Sequence, residues 1–314
     1  MAEPGPAAGP DPAAPAPADP AAPATAPAGA LMTDSAADLT PELVDALGLD
    51  ALYFTYVIDG QDHLDDFGRT ASRVALYDAM RAGGHPSTAQ LPRQEFVALF
   101  ERYAEAGQPL LYLALSSGLS GTFETASSAR DEVLTRCPGA DIRIVDTKAA
   151  SAAEGLMVYE AALQWRAGVP LTEIAAWAET ARPCLHGYFT VDDLEYLRRG
   201  GRVSGAVAAV GGVLDVKPLL QLTAHGTIEP LRNVRGRHKA MRALAGLVTE
   251  YADGRGSRRV FIAHADCTED AEHLATLVRE SADVRELRIF EAGPVIGSHG
   301  GPGFLGLTFW GKRR

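Results

Sequence analysis

The sequence predicts an α/β protein of two domains, a parallel-sheet domain followed by a mixed-sheet domain. The length of 314 residues exceeds what a single hydrophobic core usually organises. Strand-like and helix-like stretches alternate through the first half of the chain, as they do in parallel α/β sheets. From about Cys184 onwards, closely spaced strand-like stretches replace this alternation and indicate a different sheet. We therefore expect domains at residues 31–183 and 184–314.

Residues 1–30 are rich in alanine and proline, and we expect them to form a disordered tail because they bury too little apolar surface to offset chain entropy. The stretch lacks the basic start and continuous apolar run of a secretory signal. No later segment offers the roughly 18 uncharged apolar residues of a membrane helix. We therefore expect a cytoplasmic protein without stable membrane insertion.

The first domain alternates predicted strands with predicted helices. The strands begin at about residue 30 and cover residues 109–115 and 142–145, where apolar runs have strand length. The helices begin at about residue 41, follow residue 121 through residue 133, and cover residues 149–165. A ligand is expected at the carboxyl ends of such parallel strands.

The second domain is predicted to combine a hairpin with helices that flank a further strand. Its strands are predicted at residues 185–191, 216–222, 228–234 and 259–263. Residues 224–226 (AHG) are expected to form the hairpin turn. Its helices are predicted at residues 237–251 and 269–281.

Charge and cysteine content narrow the possible functions. With 40 acidic and 29 basic residues the formal net charge is −11, so the protein repels phosphodiester backbones and we expect no nucleic-acid partner. Cys137, Cys184 and Cys267 form no CxxC pair, which argues against a disulfide framework and a thiolate zinc site. We expect no metal and no cofactor, and a reducing cytoplasm fits this composition.

Residues 116–122 (SSGLSGT) place hydroxyl groups and glycines between a predicted strand and a predicted helix. Free N–H groups and the helix dipole favour an anion at such a position, so a carboxylate or a phosphate fits there. The simpler interpretation is N-capping of the helix by Ser120 or Thr122, and spacing alone favours it.

Three further clusters are ambiguous by themselves. Residues 86–92 (PSTAQLP) predict a Pro-bounded loop before a helix. Arg202 either binds an anion or simply pairs at the surface by capping carbonyl groups of the preceding helix. Surface pairing is the favoured interpretation. Residues 297–303 (GSHGGPG) surround His299 with glycines, which is typical of a backbone with positive φ near a ligand, or of a plain turn.

Several familiar motifs occur here out of context. Residues 301–306 match GxGxxG, but no βαβ unit surrounds them. Residues 306–312 imitate a Walker A loop, yet Arg313 stands where Ser or Thr is required. Residues 118–122 do not form GxSxG. Nucleotide-binding functions are therefore not expected, and a serine hydrolase is a weak alternative.

Taken in order, five segments resemble the DegV family. They are Thr33-Asp34-Ser35 (TDS), residues 116–122 (SSGLSGT), Asp146-Thr147 (DS in the family), residues 193–204 (DLEYLxxGGRxS) and residues 299–303 (HxGPG). The resemblance covers about residues 31–309. The family's TSQPS loop is matched at Thr88 and Gln90 but not at Ala89, Leu91 and Pro92, so its shape is expected to differ.

The resemblance implies that two α/β domains enclose a long-chain fatty acid between them. It further implies a carrier role for a separate fatty acid kinase, which supplies its own ATP and Mg²⁺. The carboxylate-binding role falls on Thr88, Ser120 and His299. Supporting or partner-facing roles fall on Ser35, Ser117, Gly121 and Arg202. No catalytic nucleophile is implied.

Two other functions remain open at this stage. One is an acyl hydrolase that uses Ser120. The other is a phosphotransfer protein that binds a small polyol, which would need a histidine linked to substrate and a small polar pocket.

Overall fold

The computed structural model describes residues 28–203, 216–252 and 258–314. The strands are β1 (Ala30–Asp34), β2 (Asp50–Leu52), β3 (Phe54–Ile58), β4 (Gln61–Asp65), β5 (Ser87–Ala89), β6 (Leu110–Ala114), β7 (Ile142–Asp146), β8 (Leu185–Thr190), β9 (Val216–Leu222), β10 (Ile228–Arg235), β11 (Arg259–His264), β12 (Glu286–Glu291) and β13 (Leu305–Trp310). The helices are α1 (Pro41–Leu47), α2 (Arg73–Arg81), α3 (Arg93–Glu105), α4 (Thr122–Arg136), α5 (Ala152–Arg166), α6 (Leu171–Ala181), α7 (Glu195–Arg199), α8 (Arg237–Tyr251), α9 (Thr268–Ser281) and α10 (Pro294–Gly300).

A four-stranded parallel sheet forms from the first part of the chain, with strand order β2-β1-β6-β7. Successive side chains of a strand point to opposite faces. Met32 and Tyr112 accordingly pack with residues of α3 and α4, whereas Leu31 and Leu111 pack with residues of α5 and α6. Helices cover both faces, which explains why residues 109–115 are a continuous apolar run. The predicted parallel sheet is confirmed.

A six-stranded mixed sheet forms from the later part, with strand order β10-β9-β8-β13-β11-β12. Its pairs are antiparallel except for β11 with β12. Strands β9 and β10 form the predicted hairpin around residues 224–226. Helices α8 and α9 cover one face of this sheet. The predicted mixed sheet is confirmed, and the division into two domains near Pro183 stays a prediction.

Helix α5 lies between the two sheets. It contacts β1 and β6 of the parallel sheet and β8, β11 and β13 of the mixed sheet. Every residue from Ala152 to Trp165 is buried. A helix that is apolar on one face only could not occupy this place, so the alanine-rich composition of residues 149–165 follows from contact on all sides.

A small antiparallel sheet of order β4-β3-β5 was not expected from the sequence. The prediction of a loop over residues 86–92 was wrong at its start, because Ser87–Ala89 is strand β5. Its backbone pairs with β3, and Thr88 lies opposite Tyr56. A three-residue strand has no periodicity of its own, so tertiary pairing decides its conformation.

The predicted tail also ends earlier than residue 30. Ala30 begins β1 and is buried, and the carbonyl oxygen of Ala28 accepts a hydrogen bond from Trp165 Nε1 at 3.1 Å. Residues 1–27 of the predicted tail lie outside the described residues. So does Ser204, the last residue of the segment 193–204 that resembles the DegV family. None of the described helices is long and apolar enough to cross a membrane.

Candidate functional site

A cavity of about 260 Å³ opens where the carboxyl end of β6, the first turn of α5, the mixed sheet and α10 meet. This volume is just below the range of ~300–1,000 Å³ that is usual for small-molecule sites. Most of its wall is apolar: Phe54, Leu115, Leu119, Ala150, Ala152, Ala153, Tyr188, Phe189, Leu197, Leu222, Ile228, Val295, Ile296, Phe304 and Leu307. Both parts of the chain therefore contribute to a predominantly hydrophobic site.

Four polar residues lie together on this wall, and we call them the polar end: Thr88, Ser120, Arg202 and His299. Thr88 comes from β5, Ser120 from the loop before α4, Arg202 from the segment after α7, and His299 from α10. All four side chains are half-buried. The structure thus brings together the three residues for which carboxylate binding was predicted, and their role itself stays a prediction.

His299 faces Thr88, with its Nε2 atom 3.0 Å from Thr88 Oγ1. Its Nδ1 atom has no hydrogen-bond partner among the described residues. Burial first, and then the charge of Arg202, lower the pKa of His299 to about 4. The imidazole is therefore neutral at neutral pH, where it can donate one hydrogen bond and accept another.

Gly200 allows the imidazole to reach this position. A Cβ atom at residue 200 would lie 2.1 Å from His299 Nδ1, which is closer than any stable contact. The first glycine of the pair before Arg202 therefore has a steric reason, since any side chain at Gly200 would displace His299.

Ser120 lies at the start of α4, which has Gly121 as its N-cap. The Ser120 hydroxyl group accepts from the amide of Thr122 at 3.3 Å and lies 2.8 Å from the Thr122 hydroxyl group. The N-cap is Gly121, so the predicted N-capping by Ser120 or Thr122 was wrong, although the Ser120 hydroxyl group satisfies the amide of Thr122 and also lies on the cavity wall. Among the described residues, Ser120 has no hydrogen bond to a histidine or a carboxylate, so the geometry gives no support to a hydrolytic nucleophile.

Arg202 connects two loops of the polar end. Its Nε atom donates to the carbonyl oxygen of Leu119 at 3.0 Å, and its Nη1 atom donates to that of Gly200. Burial lowers the pKa of its guanidinium group. Within the described ranges it forms no ion pair with a carboxylate, in contrast to Arg198 and Arg199, which both pair with Glu195. The polar end therefore carries a positive charge that no described carboxylate compensates.

Three further residues were predicted to have supporting or partner-facing roles. Ser35 is fully buried, and its hydroxyl group accepts from the amide of Phe54 at 3.1 Å, which fixes the start of β3. Ser117 is absent from the cavity wall and accepts from Lys148 Nζ at 2.5 Å. Gly121 lies on the wall. These positions fit structural support for Ser35 and Ser117 rather than ligand contact.

Ser151 is a site residue that sequence reasoning missed. It lies on the cavity wall directly before α5 and has a φ of 56°, an unfavourable value for a residue with a side chain. Its amide donates to the carbonyl oxygen of Ala36 at 2.7 Å, and its hydroxyl group donates to Asp38 Oδ2 at 2.6 Å. Sequence analysis placed Ser151 inside the predicted helix over residues 149–165, whereas the helix begins at Ala152.

Known proteins resemble this chain over nearly its full described length. The family model described as an uncharacterised protein of the DegV family matches residues 29–312. The chain belongs to the DegV family. A DegV domain-containing protein of Clostridium perfringens is 41% identical over 284 residues, which cover 90% of this chain and 98% of that protein. Its counterpart from Deinococcus radiodurans is 35% identical over 283 residues, or 89% and 97%. The predicted resemblance is confirmed.

Solved DegV structures share the fold. A DegV family protein from Thermus thermophilus, described by its fatty acid binding, superposes with a TM-score of 0.80 at 31% identity, over 90% of this chain and 99% of that one. DegV from Bacillus subtilis, described as a fatty acid binding protein, superposes with a TM-score of 0.76 at 27% identity, over 91% and 100%. The α/β fold class predicted from the sequence is confirmed.

Proposed function

We propose that this DegV protein binds a long-chain fatty acid in the cavity, with the acyl chain along the apolar wall and the carboxyl group at the polar end. The observation that carries the proposal is that one cavity joins a mostly apolar wall to the hydrogen-bonding side chains of the polar end. A fatty acid has one long apolar part and one negative group. The Thermus thermophilus and Bacillus subtilis relatives, described by fatty acid binding, support this choice.

The two parts of the ligand contribute differently to binding. An acyl chain gains about 0.8 kcal/mol for each CH₂ group that leaves water. A buried carboxyl group without hydrogen bonds costs at least about 2 kcal/mol. Thr88, Ser120 and the neutral His299 supply hydrogen bonds that offset this cost, and Arg202 favours the ionised form. The mostly apolar wall does not suit a small polyol, which disfavours the phosphotransfer alternative.

We further propose that the bound carboxyl group is presented to a separate fatty acid kinase, which forms an acyl phosphate with its own ATP and Mg²⁺. Among the described residues the polar end is half-buried, which supports access of a partner to a carboxylate oxygen there. The positive charge of Arg202 would stabilise the added phosphate charge. This chain supplies the binding site in that scheme, and the kinase supplies the chemistry.

Native mass spectrometry of the purified protein, followed by organic extraction, tests the first proposal. We expect a bound mass that equals a long-chain fatty acid. A displacement series with saturated acids should then give a dissociation constant that falls about fourfold per added CH₂ group until the cavity is filled. The matched fatty alcohols should bind more weakly because they lack the carboxylate, which is the stronger hydrogen-bond acceptor. Equal binding of acids and alcohols would contradict the assigned polar end.

A further inference from the structure

The connection between β12 and α10 is held by side chains from a distant part of the sequence. Two of them donate to its carbonyl groups: Tyr77 Oη to Ala292 at 2.6 Å, and Arg73 Nη1 to Glu291. Two accept from its amide groups: Asp38 Oδ1 from Gly293 at 2.7 Å, and Asp65 Oδ2 from Val295 at 3.1 Å.

Both carboxyl groups are held firmly in the interior. Asp38 is 0% exposed and Asp65 is 1% exposed. They approach the same point of the backbone, because a Cβ atom at Gly293 would lie 2.9 Å from Asp65 Oδ2 and 3.2 Å from Asp38 Oδ1. Only glycine leaves room for both, so the close approach of two carboxyl groups is built into the fold.

Helix α10 receives two of these hydrogen bonds at its start. It is seven residues long, and a helix of that length gains little stability from its own hydrogen bonds. Its first amide groups have no partner inside the helix, and acceptors from outside must satisfy them. Asp38 and Asp65 provide such acceptors at Gly293 and Val295.

The same helix carries His299 one turn further on. The imidazole reaches Thr88 at 3.0 Å and fits against Gly200 without spare room. A small shift or rotation of α10 would therefore break the contact with Thr88. Asp38 is also bonded to Ser151, which lies on the cavity wall, so one carboxyl group connects two cavity-lining elements.

We propose that Asp38 and Asp65 are positioning residues of the fatty acid site, which hold α10 so that His299 stays at Thr88. Neither carboxyl group lies on the cavity wall, so both act through the helix and not on the ligand. For its effect on ligand binding, the inference rests on the proposed function. Its effect on the imidazole does not.

Paired substitutions separate positioning from general stability. Asp38→Ala and Asp65→Ala remove the acceptors, whereas Asp38→Asn and Asp65→Asn retain a carbonyl oxygen for the same amide groups. Asp66→Ala is the matched control, because Asp66 neighbours Asp65 but accepts from Thr70 and not from α10. The measurements are the pKa of His299 by NMR, with His299→Asn to assign its signal, and the dissociation constant of a fluorescent fatty acid.

We expect the alanine variants to raise the pKa of His299 from about 4 towards its ordinary value of 6.5. They should weaken fatty acid binding about 10-fold, while the asparagine variants and the control stay within about 3-fold of the parent. Folded alanine variants with an unchanged His299 pKa would overturn the proposal. So would asparagine variants that behave like the alanine ones.

Two other outcomes are also decisive. If an alanine variant does not fold, Gly293→Ala replaces it, since a Cβ atom there would lie 2.9 Å from Asp65 Oδ2 and 3.2 Å from Asp38 Oδ1 and would displace both carboxyl groups; an unchanged His299 pKa there would overturn the inference. If the parent binds no fatty acid, the proposed function fails. A raised His299 pKa in the variants would then still support the positioning role.

Discussion

Two polar regions of this protein, one fully buried and one half-buried, differ in how their hydrogen-bonding atoms are used. We call Asp34, Asp38, Asp65 and Glu154 the carboxyl cluster; all four are at most 1% exposed. Most of its oxygen atoms accept hydrogen bonds from the protein itself, from Tyr112, Leu115, Ala36, Ser151, Gly293, Val295 and Thr33. The polar end is half-buried, and its cation has no carboxylate partner among the described residues.

This difference shows that burial of polar groups does not by itself mark a ligand site. Most oxygen atoms of the carboxyl cluster already accept hydrogen bonds from the protein. Substitutions there should therefore change the free energy of unfolding and the position of α10. The polar end retains unused hydrogen-bonding capacity and charge, so changes there should affect a ligand. Each of the following experiments asks whether the two regions separate in this way.

The largest effect is expected from pH acting on the carboxyl cluster. Burial raises the pKa of Asp34 to about 6 and those of Asp38 and Asp65 to about 7, from 3.8. The folded state then binds protons more strongly than the unfolded state. The free energy of unfolding should fall as pH rises from about 4 to about 7, by up to about 1.4 kcal/mol per pH unit for each proton.

Urea unfolding at a series of pH values measures this slope. Asp38→Asn removes one titrating group and should flatten the slope, although Asp38 and Asp65 interact and titrate partly as a pair. A free energy of unfolding that rises across this window would mean that the carboxyl cluster is ionised in the folded protein.

The next largest effect is expected at the polar end. Thr88→Val and Ser120→Ala should each weaken fatty acid binding by about 1–3 kcal/mol, because each removes a hydrogen bond to the carboxyl group. The double variant should lose less than the sum, since both hydroxyl groups serve one ligand group. Displacement of a fluorescent fatty acid measures the losses.

Thr125→Ala is a suitable control for this pair. The Thr125 hydroxyl group lies near Gln90 at 3.5 Å at the surface, and Thr125 is not on the cavity wall. Strictly additive losses in the double variant would show that Thr88 and Ser120 do not share a ligand group.

A smaller effect is expected from His299. His299→Asn keeps a donor and should retain the fatty acid better than His299→Ala, by about 1 kcal/mol. Because the pKa of His299 is lowered to about 4, binding by the parent should not change through titration of this ring between about pH 5.5 and pH 8. An inflection near neutrality that both variants abolish would contradict the neutral imidazole and favour a proton-accepting role.

The smallest effect on lipid retention is expected from Arg202→Ala, which should change affinity by less than about 1 kcal/mol for a half-exposed charge. It should raise the pKa of His299, since the charge of Arg202 lowers it. With the partner kinase, ATP and Mg²⁺ present, phosphorylation per bound lipid should fall. Arg202→Lys separates charge from the hydrogen bonds to Leu119 and Gly200. Loss of lipid with normal turnover per bound lipid would reverse this assignment.

Sequence patterns predicted most strands of the two large sheets from their apolar runs, but they missed β2, β12 and β13. They missed the small sheet, since β4 (Gln61–Asp65) is mostly polar and β5 is three residues long. They also missed α10, whose sequence PVIGSHG contains two glycines. Such a segment becomes helical through tertiary contacts at its first amide groups, and no local pattern contains them.

The residues of the site also divide into those that the sequence indicated and those that only the fold reveals. Thr88, Ser120 and His299 are far apart in the sequence, and only the family resemblance grouped them before the fold showed their proximity. Spacing alone favoured N-capping by Ser120 or Thr122, but Gly121 is the N-cap and Ser120 only accepts from the amide of Thr122. Asp38 and Asp65 belong to no local motif, because their importance arises from a contact with Gly293 and Val295 that only the folded chain creates.

Helix α5 limits how far the spacing between the two sheets can change. Since one helix separates them, its diameter and side chains set the spacing of the whole interior, and small residues at Ala152 and Ala153 leave the volume that the cavity occupies. Larger side chains there would fill the cavity from inside without touching the polar end. A fragment that stops at residue 183 would lack the mixed sheet and leave one side of α5 facing water, so the parallel sheet is not expected to be a soluble unit by itself.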